Sequence, residues 1–265
     1  MRKTKLIHEI RAVKTKKELA NIIRAQRISE LVLRYIVAEL YTGITELEAA
    51  SKIKKAFVKF GTPILSFSPI VAFGKNSANI HHEPNKTKLK KGDTVMFDIG
   101  CAVNHYCSDM TRTYFWGKPN KKPSAIARRA RQKKVYKDVL KAQELAVKKL
   151  MRGERRAWII DKVARDYIIK QLSKNNPARL NAISRSGGFK HGLGHGVGTV
   201  IHEWPNFKPK SKDIIPAGCV MTVEPGIYLR GFGGVRIEDM YLITKKGAKC
   251  LTNVPKRLQD AILNK

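Results

Sequence analysis

Asp93-Thr-Val-Met-Phe-Asp98-Ile-Gly-Cys-Ala-Val-Asn-His-Tyr-Cys-Ser-Asp109-Met-Thr-Arg-Thr113 is the stretch on which the fold turns. Val, Phe, Ile, Tyr and Thr flank a short polar middle, the pattern of two strands joined as a hairpin. Two of its carboxylates, Asp98 and Asp109, lie eleven residues apart. A turn at Val103-Asn104 sets Asp98 directly opposite Asp109. A turn one residue later makes them diagonal neighbours, still on one face, because side chains repeat every second residue. Like charges that close repel, and each resists burial among Phe97, Ile99 and Met110. A bound cation removes both objections.

The same logic returns in Thr222-Val-Glu224-Pro-Gly-Ile-Tyr-Leu-Arg-Gly-Phe-Gly-Gly-Val-Arg-Ile-Glu238-Asp239. Glu224 and Glu238 are equidistant from Gly231, so an antiparallel pairing about that turn brings them to one face. Asp239 points the other way by strand alternation and reads as structural. Arg236 shares the face of Glu238, where it either orients a ligand carboxylate or substrate, or makes a strand salt bridge.

Between the hairpins, His191-Gly-Leu-Gly-His195-Gly-Val-Gly-Thr-Val-Ile-His202-Glu-Trp-Pro supplies three imidazoles. His191 and His195 have the spacing of the helical zinc motif His-Glu-x-x-His, but the glycines between and after them exclude a helix. Glycine here lets the backbone approach a metal or substrate closely. Four carboxylates and one imidazole suit harder cations such as manganese or cobalt, and two ions fit four carboxylates better than one. Two-metal sites hydrolyse peptide bonds.

The rest of the chain reads as a frame for these segments. Apolar positions at helical spacing mark a helix over residues 16 to 40, and Thr45-Glu-Leu-Glu48 has capping-box form ahead of a second helix reaching about Phe60. Strand-like segments run over 66 to 73 and 94 to 116. Helices return with Val135, Val139, Ala142, Ala146 and Leu150 and over 158 to 172, and a second β-rich region covers about 192 to 251. The order helices, strands, helices, strands predicts an α+β fold of two halves of similar plan, with a site at their junction.

The chain has 265 residues, enough to bury a full-sized core. With 53 Lys+Arg against 21 Asp+Glu the formal charge is +32, which draws polyanions. Residues 118 to 170 hold 18 basic and 5 acidic side chains. Their ordinary role is a solvated helix face; a contact with RNA or the ribosome is the other reading. Cys101, Cys107, Cys219 and Cys250 form no Cys-x-x-Cys pair and read as reduced, buried thiols of a cytoplasmic protein. No stretch has the length of a signal peptide's apolar core or of a membrane span.

Taken together, these residues resemble the pita-bread metallopeptidases, the family of methionine aminopeptidases, aminopeptidase P and prolidase. The resemblance runs from about Val13 to Thr252 and implies a pita-bread fold, two pseudo-symmetric halves of antiparallel strands covered by helices. It implies two divalent metal ions, manganese or cobalt foremost, with zinc or iron as alternatives. Asp98 would chelate one ion, His195 and Glu224 the other, with Asp109 and Glu238 bridging. By the same resemblance Glu224 shuttles a proton, His81 and His202 contact substrate or steady the tetrahedral intermediate, and His191 is the outer histidine of the Xaa-Pro branch. His191, His202, Tyr228 and Arg236 are then candidates to line a proline pocket.

Phe67-Ser-Pro-Ile-Val-Ala-Phe-Gly-Lys-Asn-Ser-Ala-Asn-Ile-His81 and Gly233-Gly-Val-Arg-Ile-Glu238-Asp239 are similar to aminopeptidase P and prolidase. The expected activity is therefore exopeptidase cleavage of Xaa-Pro peptides. Removal of initiator methionine, and an inactive fold bound to RNA or the ribosome, are the competing readings. The expected organisation is one catalytic domain over residues 1 to 265. About fifteen residues form an N-terminal extension where the Xaa-Pro branch usually carries a further domain. The expected partners are peptide substrates, with a homodimer and a weak RNA contact as further options and no membrane.

Overall fold

Thr15 and Thr45 each stand three residues ahead of a glutamate, and both become reciprocal caps. Each threonine hydroxyl accepts from the backbone N–H of Glu18 or Glu48, whose carboxylate accepts from the threonine N–H in return. Such a cap is worth about 1 kcal/mol. The helices they begin are α2 (Lys16–Ala38) and α3 (Glu46–Lys59), close to the expected bounds. These coordinates are a computed structural model that describes residues 2–174 and 187–264.

Residues 1 to 15, expected as a plain extension, instead contain a helix, α1 (Arg2–Ala12). Ile7 and Ile10 are exposed while Ala12 is buried, so no apolar stripe announced it.

After α3 come β1 (Ile70–Phe73), β2 (Thr94–Ile99), β3 (Ala102–Val103), β4 (Tyr106–Cys107) and β5 (Met110–Trp116). The strand read from residue 66 begins only at Ile70; ahead of it Leu65 and Ser66 touch the hairpin by an isolated bridge to Cys101 and a backbone bond to Gly100 O, and the Ser66 hydroxyl donates to the carbonyls of Cys101 and Ser108. The long hairpin turns at Asn104-His105, both with positive φ (48° and 69°), one residue later than the first of the two options. Asp98 therefore faces Thr111, and Asp109 is its diagonal neighbour.

Helices α4 (Pro123–Met151) and α5 (Ala157–Ser173) follow. The second β region holds β6 (Gly187–Gly188), β7 (Gly194–Gly196), β8 (Glu203–Phe207), β9 (Val220–Val223), β10 (Gly226–Leu229), β11 (Gly233–Arg236), β12 (Asp239–Ile243) and β13 (Ala248–Cys250). A terminal strand, β14 (Ile262–Leu263), pairs parallel to β5 and lies beyond the stretch read as strands. Helices precede strands twice, as an α+β pita-bread fold requires.

The second hairpin crosses between sheets. Its outer ladder pairs β9 with β12 and its inner ladder pairs β10 with β11, in one common register about Gly231. Glu224 and Glu238 sit in the gap between the ladders. Buried Gln143 of α4 fills the gap from behind, its amide donating to the carbonyls of Val223 and Ile237. Backbone groups left free by the crossing are thereby satisfied.

The two hairpins meet through β5. Glu238 N–H donates to Thr111 O at 3.1 Å, and Thr113 Oγ1 donates to Arg236 O at 2.8 Å. Beneath them, one apolar cluster joins both halves, including Ile36 and Phe57 from the first helices and Val139 and Ile160 from the second pair. The four thiols are unpaired; Cys101, Cys107 and Cys219 are buried and Cys250 is exposed, contrary to the expectation for that last one. Among the described residues no helix is long and apolar enough to cross a membrane.

Candidate metal centre

Where the hairpins meet, β7 delivers His195 to the carboxylates. Gly194 permits this approach, since a Cβ there would collide with the Thr222 carbonyl of β9. His195 N–H donates to Thr222 Oγ1 at 3.0 Å, and its ring Nδ1 lies 3.1 Å from Gly196 O. With Nδ1 donating to that carbonyl, Nε2 is turned to the acids, 3.2 Å from Glu224 Oε1 and 3.6 Å from Asp109 Oδ2. This orientation by the outer hydrogen bond is what metal-binding histidines need.

Ligand atoms of Asp109, His195 and Glu238 lie within 4.8 Å of one another, and all three residues are buried. Glu238 Oε2 accepts from Thr111 Oγ1 at 2.7 Å, and Asp98 Oδ2 accepts from Arg236 Nη2 at 2.6 Å. The remaining oxygens, Asp98 Oδ1 and Glu238 Oε1, are buried and have no hydrogen-bond partner among the described residues. An anionic oxygen in that state is costly unless a cation meets it.

The electrostatics agree. Burial, then the charges of Glu238 and Asp98, hold the Asp109 carboxyl well above its ordinary range. Burial followed by Glu224 and Asp98 does the same to Glu238, and burial raises Asp98 despite Arg236. Glu224 behaves differently. Burial alone would raise it, but the hydrogen bond and charge of His195 outweigh that and bring it to about 2. His195 is raised in turn, burial notwithstanding, by Glu224. A buried, mutually repelling oxygen cluster with one imidazole fits hard divalent ions.

Arg236 is committed to the frame. Besides Asp98, its guanidinium binds Thr111 Oγ1 at 3.0 Å and the Tyr228 hydroxyl at 2.9 Å, and its side chain is 3% exposed. Tyr228 lies 2.8 Å from His191 Nε2, and His191 Nδ1 lies 2.7 Å from Gly192 O. The relay gives His191 a proton on Nδ1, and burial lowers its pKa. Tyr228, expected to line a substrate pocket, is 2% exposed and stands behind the wall. Arg236 does reach that wall, yet all its nitrogens serve Asp98, Thr111 and Tyr228.

The centre opens into a cavity of about 510 Å³, of a size that takes small ligands. His81, His191 and His202 line it with Asp98, Asp109, His195, Glu224, Arg236 and Glu238. The His202 ring meets that of His195 edge-on at 4.3 Å.

The profile of metallopeptidase family M24 matches residues 20–245 of this chain. The chain belongs to that family. It is 37% identical over 253 residues to the Xaa-Pro dipeptidase of Pyrococcus furiosus, covering 96% of this chain and 66% of that protein. The structure is similar to the X-Pro aminopeptidase of Thermotoga maritima, with a TM-score of 0.82, 31% identity, and coverage of 96% and 66%. It is likewise similar to the prolidase of Pyrococcus horikoshii, with a TM-score of 0.83, 34% identity, and coverage of 96% and 67%. The chain spans just under two thirds of the length of the curated relatives it matches.

Membership of a metallopeptidase family accounts for the unpartnered acid oxygens: the centre is built for divalent metal. Two neighbours of the centre escaped the sequence reading. Buried Glu46, at the start of α3, accepts from Phe73 N–H, Asn76 Nδ2, Asn85 N–H and His82 Nε2, and so holds the loop that carries His81. Glu203 plays the corresponding part beside His202, binding Arg11 at 2.6 Å, Lys14 at 3.0 Å and Val200 N–H at 3.1 Å. Glu46 carried no legible signal, since it reads as an ordinary first-turn acid. Glu203 did carry one, being adjacent to a candidate histidine.

Proposed function

We propose that this chain is a metal-dependent exopeptidase that hydrolyses the bond between the first residue of a peptide and a proline after it, using two divalent ions, manganese or cobalt foremost. The observation that carries the metal reading is the pair of buried, unpartnered oxygens on Asp98 and Glu238. Support for the Xaa-Pro direction comes from the relatives, whose names include Xaa-Pro dipeptidase, X-Pro aminopeptidase and prolidase.

The five acid and imidazole side chains would hold the ions. When bound, the ions supply Lewis acidity and make water nucleophilic at neutral pH. Everything else is done by the chain. Glu224, near His195 and lining the cavity, is the carboxylate placed to carry a proton from the attacking water to the leaving nitrogen. His202, whose pKa is lowered mainly by burial and then by His195, is neutral at pH 7. A neutral ring can donate a hydrogen bond to a developing oxyanion, and His81 lines the same cavity.

The deciding assay compares kcat/KM for Ala-Pro-Ala and Met-Ala-Ser, with manganese and with cobalt. The proline peptide is expected to win by at least about tenfold, the worth of a pocket that accepts an imide without an N–H. A preference for the methionine peptide under both metals would transfer the chain to the methionine aminopeptidase reading.

A secondary contact with RNA is favoured by where the charge lies. Thirteen of the eighteen basic side chains between residues 118 and 170 are exposed, along α4, α5 and their flanks. Retention on RNA is expected at low salt and should fall steeply as salt rises. Retention that ignores salt would refute an electrostatic contact. A homodimer remains part of the proposal and would show in sedimentation.

A further inference from the structure

One side-chain amide holds both of the peptide planes that carry Glu224 and Glu238. Where the second hairpin crosses between sheets, the register sets these two residues opposite each other. Each turns its N–H away from the other, Glu224 to Leu193 O at 2.8 Å and Glu238 to Thr111 O at 3.1 Å. In a trans peptide the carbonyl points opposite to the N–H. The carbonyls of these two peptides, Val223 O and Ile237 O, accordingly meet on Gln143 Nε2, at 2.9 and 3.3 Å. An amide nitrogen has two protons, so each carbonyl receives one. The spacing of the two glutamates across the gap is thereby tied to a single nitrogen.

Lys256 decides which way that amide lies. Its Nζ donates to Gln143 Oε1 at 2.8 Å, so an ammonium stands on one side and two carbonyls on the other. Turned over, the amide would set oxygen against oxygen and nitrogen against ammonium. Gln143 is fully buried on the same helix face as Val139, Ala142 and Ala146. An amide costs free energy in such a place unless its groups are paired, and all of these pairs lead to the metal centre or to Lys256.

We infer that Gln143 is a positioning residue for the metal centre. Through the 223–224 and 237–238 peptides it sets the separation of two metal-binding carboxylates, and Lys256 keeps its amide turned the right way. Ligand distances at a metal are held to within about 0.2 Å, so a small shift of one strand against the other matters. The inference rests on the two-ion reading above and adds to it a residue that touches neither ion nor substrate.

The test compares wild type with Gln143→Met, Lys256→Met, Lys256→Arg and the double variant Gln143→Met/Lys256→Met. Val139→Ala, one turn earlier on α4, controls for lost packing alone. Manganese affinity is read by calorimetry on chelator-treated protein, ligand geometry by the visible spectrum of the cobalt-loaded form, and stability by melting. Gln143→Met keeps the length and loses both donors, and it should weaken manganese binding by about 10- to 100-fold and shift the cobalt bands. Val139→Ala should melt lower yet match wild type in both metal readouts. Lys256→Met should lose part of the affinity and Lys256→Arg should retain it. Adding Lys256→Met to Gln143→Met should cost less affinity than Lys256→Met does alone, because the two residues act through one amide. The inference is overturned if Gln143→Met matches wild type in affinity or cobalt bands, if Val139→Ala shows the same loss, or if the two substitutions simply add. Should Gln143→Met not fold, the lysine variants decide: affinity lost in Lys256→Met and kept in Lys256→Arg upholds the inference, and no loss overturns it. A wild type that takes one ion, with the same losses in the variants, would sink the two-ion reading and leave the role of Gln143 standing.

Discussion

Asp109→Asn is expected to lower kcat/KM for a proline peptide by about 10²- to 10³-fold, the effect of losing several kcal/mol of charge stabilisation at the reacting centre. The reason is position: Asp109 lies at the break in the first hairpin, within ligand distance of both His195 and Glu238. One lost charge there weakens the hold on every ion the cluster takes. The fold should not suffer, because Asn has the same shape and the metal-free cluster is overcharged. Asp109 is held above its ordinary range by burial and by Glu238 and Asp98. A group raised in this way contributes stability below its unfolded pKa and loses it as pH rises through the folded one. Metal-free Asp109→Asn should therefore melt at or above the wild-type temperature at pH 7, and the two should converge in acid. Steady-state kinetics and melting curves with chelator check both halves. Full activity, or a melting temperature lowered by many degrees, would contradict the assignment.

The largest loss of stability is expected from Arg112→Met, on the opposite face of the same hairpin. Arg112 Nη2 pairs with Asp239 Oδ1 at 2.6 Å, each side chain being 1% exposed. The guanidinium also donates to the carbonyls of Glu238 at 2.6 Å and Val254 at 2.9 Å. It thus ties β5 to β12 and to the C-terminal segment. Removing one partner of a buried pair costs about 3–5 kcal/mol, because the other charge is left behind. For a chain of this size the melting temperature should fall by on the order of 10 °C. Lys256 still reaches Asp239 and moderates the loss. The pH dependence has a definite sign. Burial alone would raise Asp239, but the charges of Arg112 and Lys256 outweigh it and bring the carboxyl below its ordinary range. Its contribution is present above the unfolded pKa and is lost as pH falls through the lowered folded value. The gap between wild type and Arg112→Met should accordingly narrow below about pH 4. Removing the acid as well, in Arg112→Met/Asp239→Leu, should recover part of the stability. Unchanged melting of the single variant would show that the pair contributes nothing.

The two hairpins and their four acids were legible because each pair is local in sequence and the strand period fixes the face. Register follows from turn position, and here Asn104-His105 selected the diagonal arrangement. What the sequence could not show is which distant groups occupy those side chains. Arg236 is 138 residues from Asp98, and Arg112 is 127 from Asp239. The same holds for Tyr228, which the residue pattern left free to face substrate and which the fold spends on His191 and Arg236. Glu46 and Glu203 hold the loops of His81 and His202 through partners that no local pattern links to them. Helix α1 was hidden for a different reason: Ile7 and Ile10 are exposed and of residues 7 to 12 Ala12 alone is buried, so that stretch has no apolar face matched to the core.

The central claim is that the five side chains form a site for two divalent ions. Manganese titrated into metal-free protein, followed by calorimetry in two buffers of different ionisation enthalpy, tests it most directly. With Asp109 and Glu238 raised by burial and mutual charge, and His195 raised by Glu224, binding must expel protons, so affinity should fall as pH is lowered. Saturation at two ions per chain with net proton release is the expected result. Saturation at one ion, or binding without proton release, would contradict it.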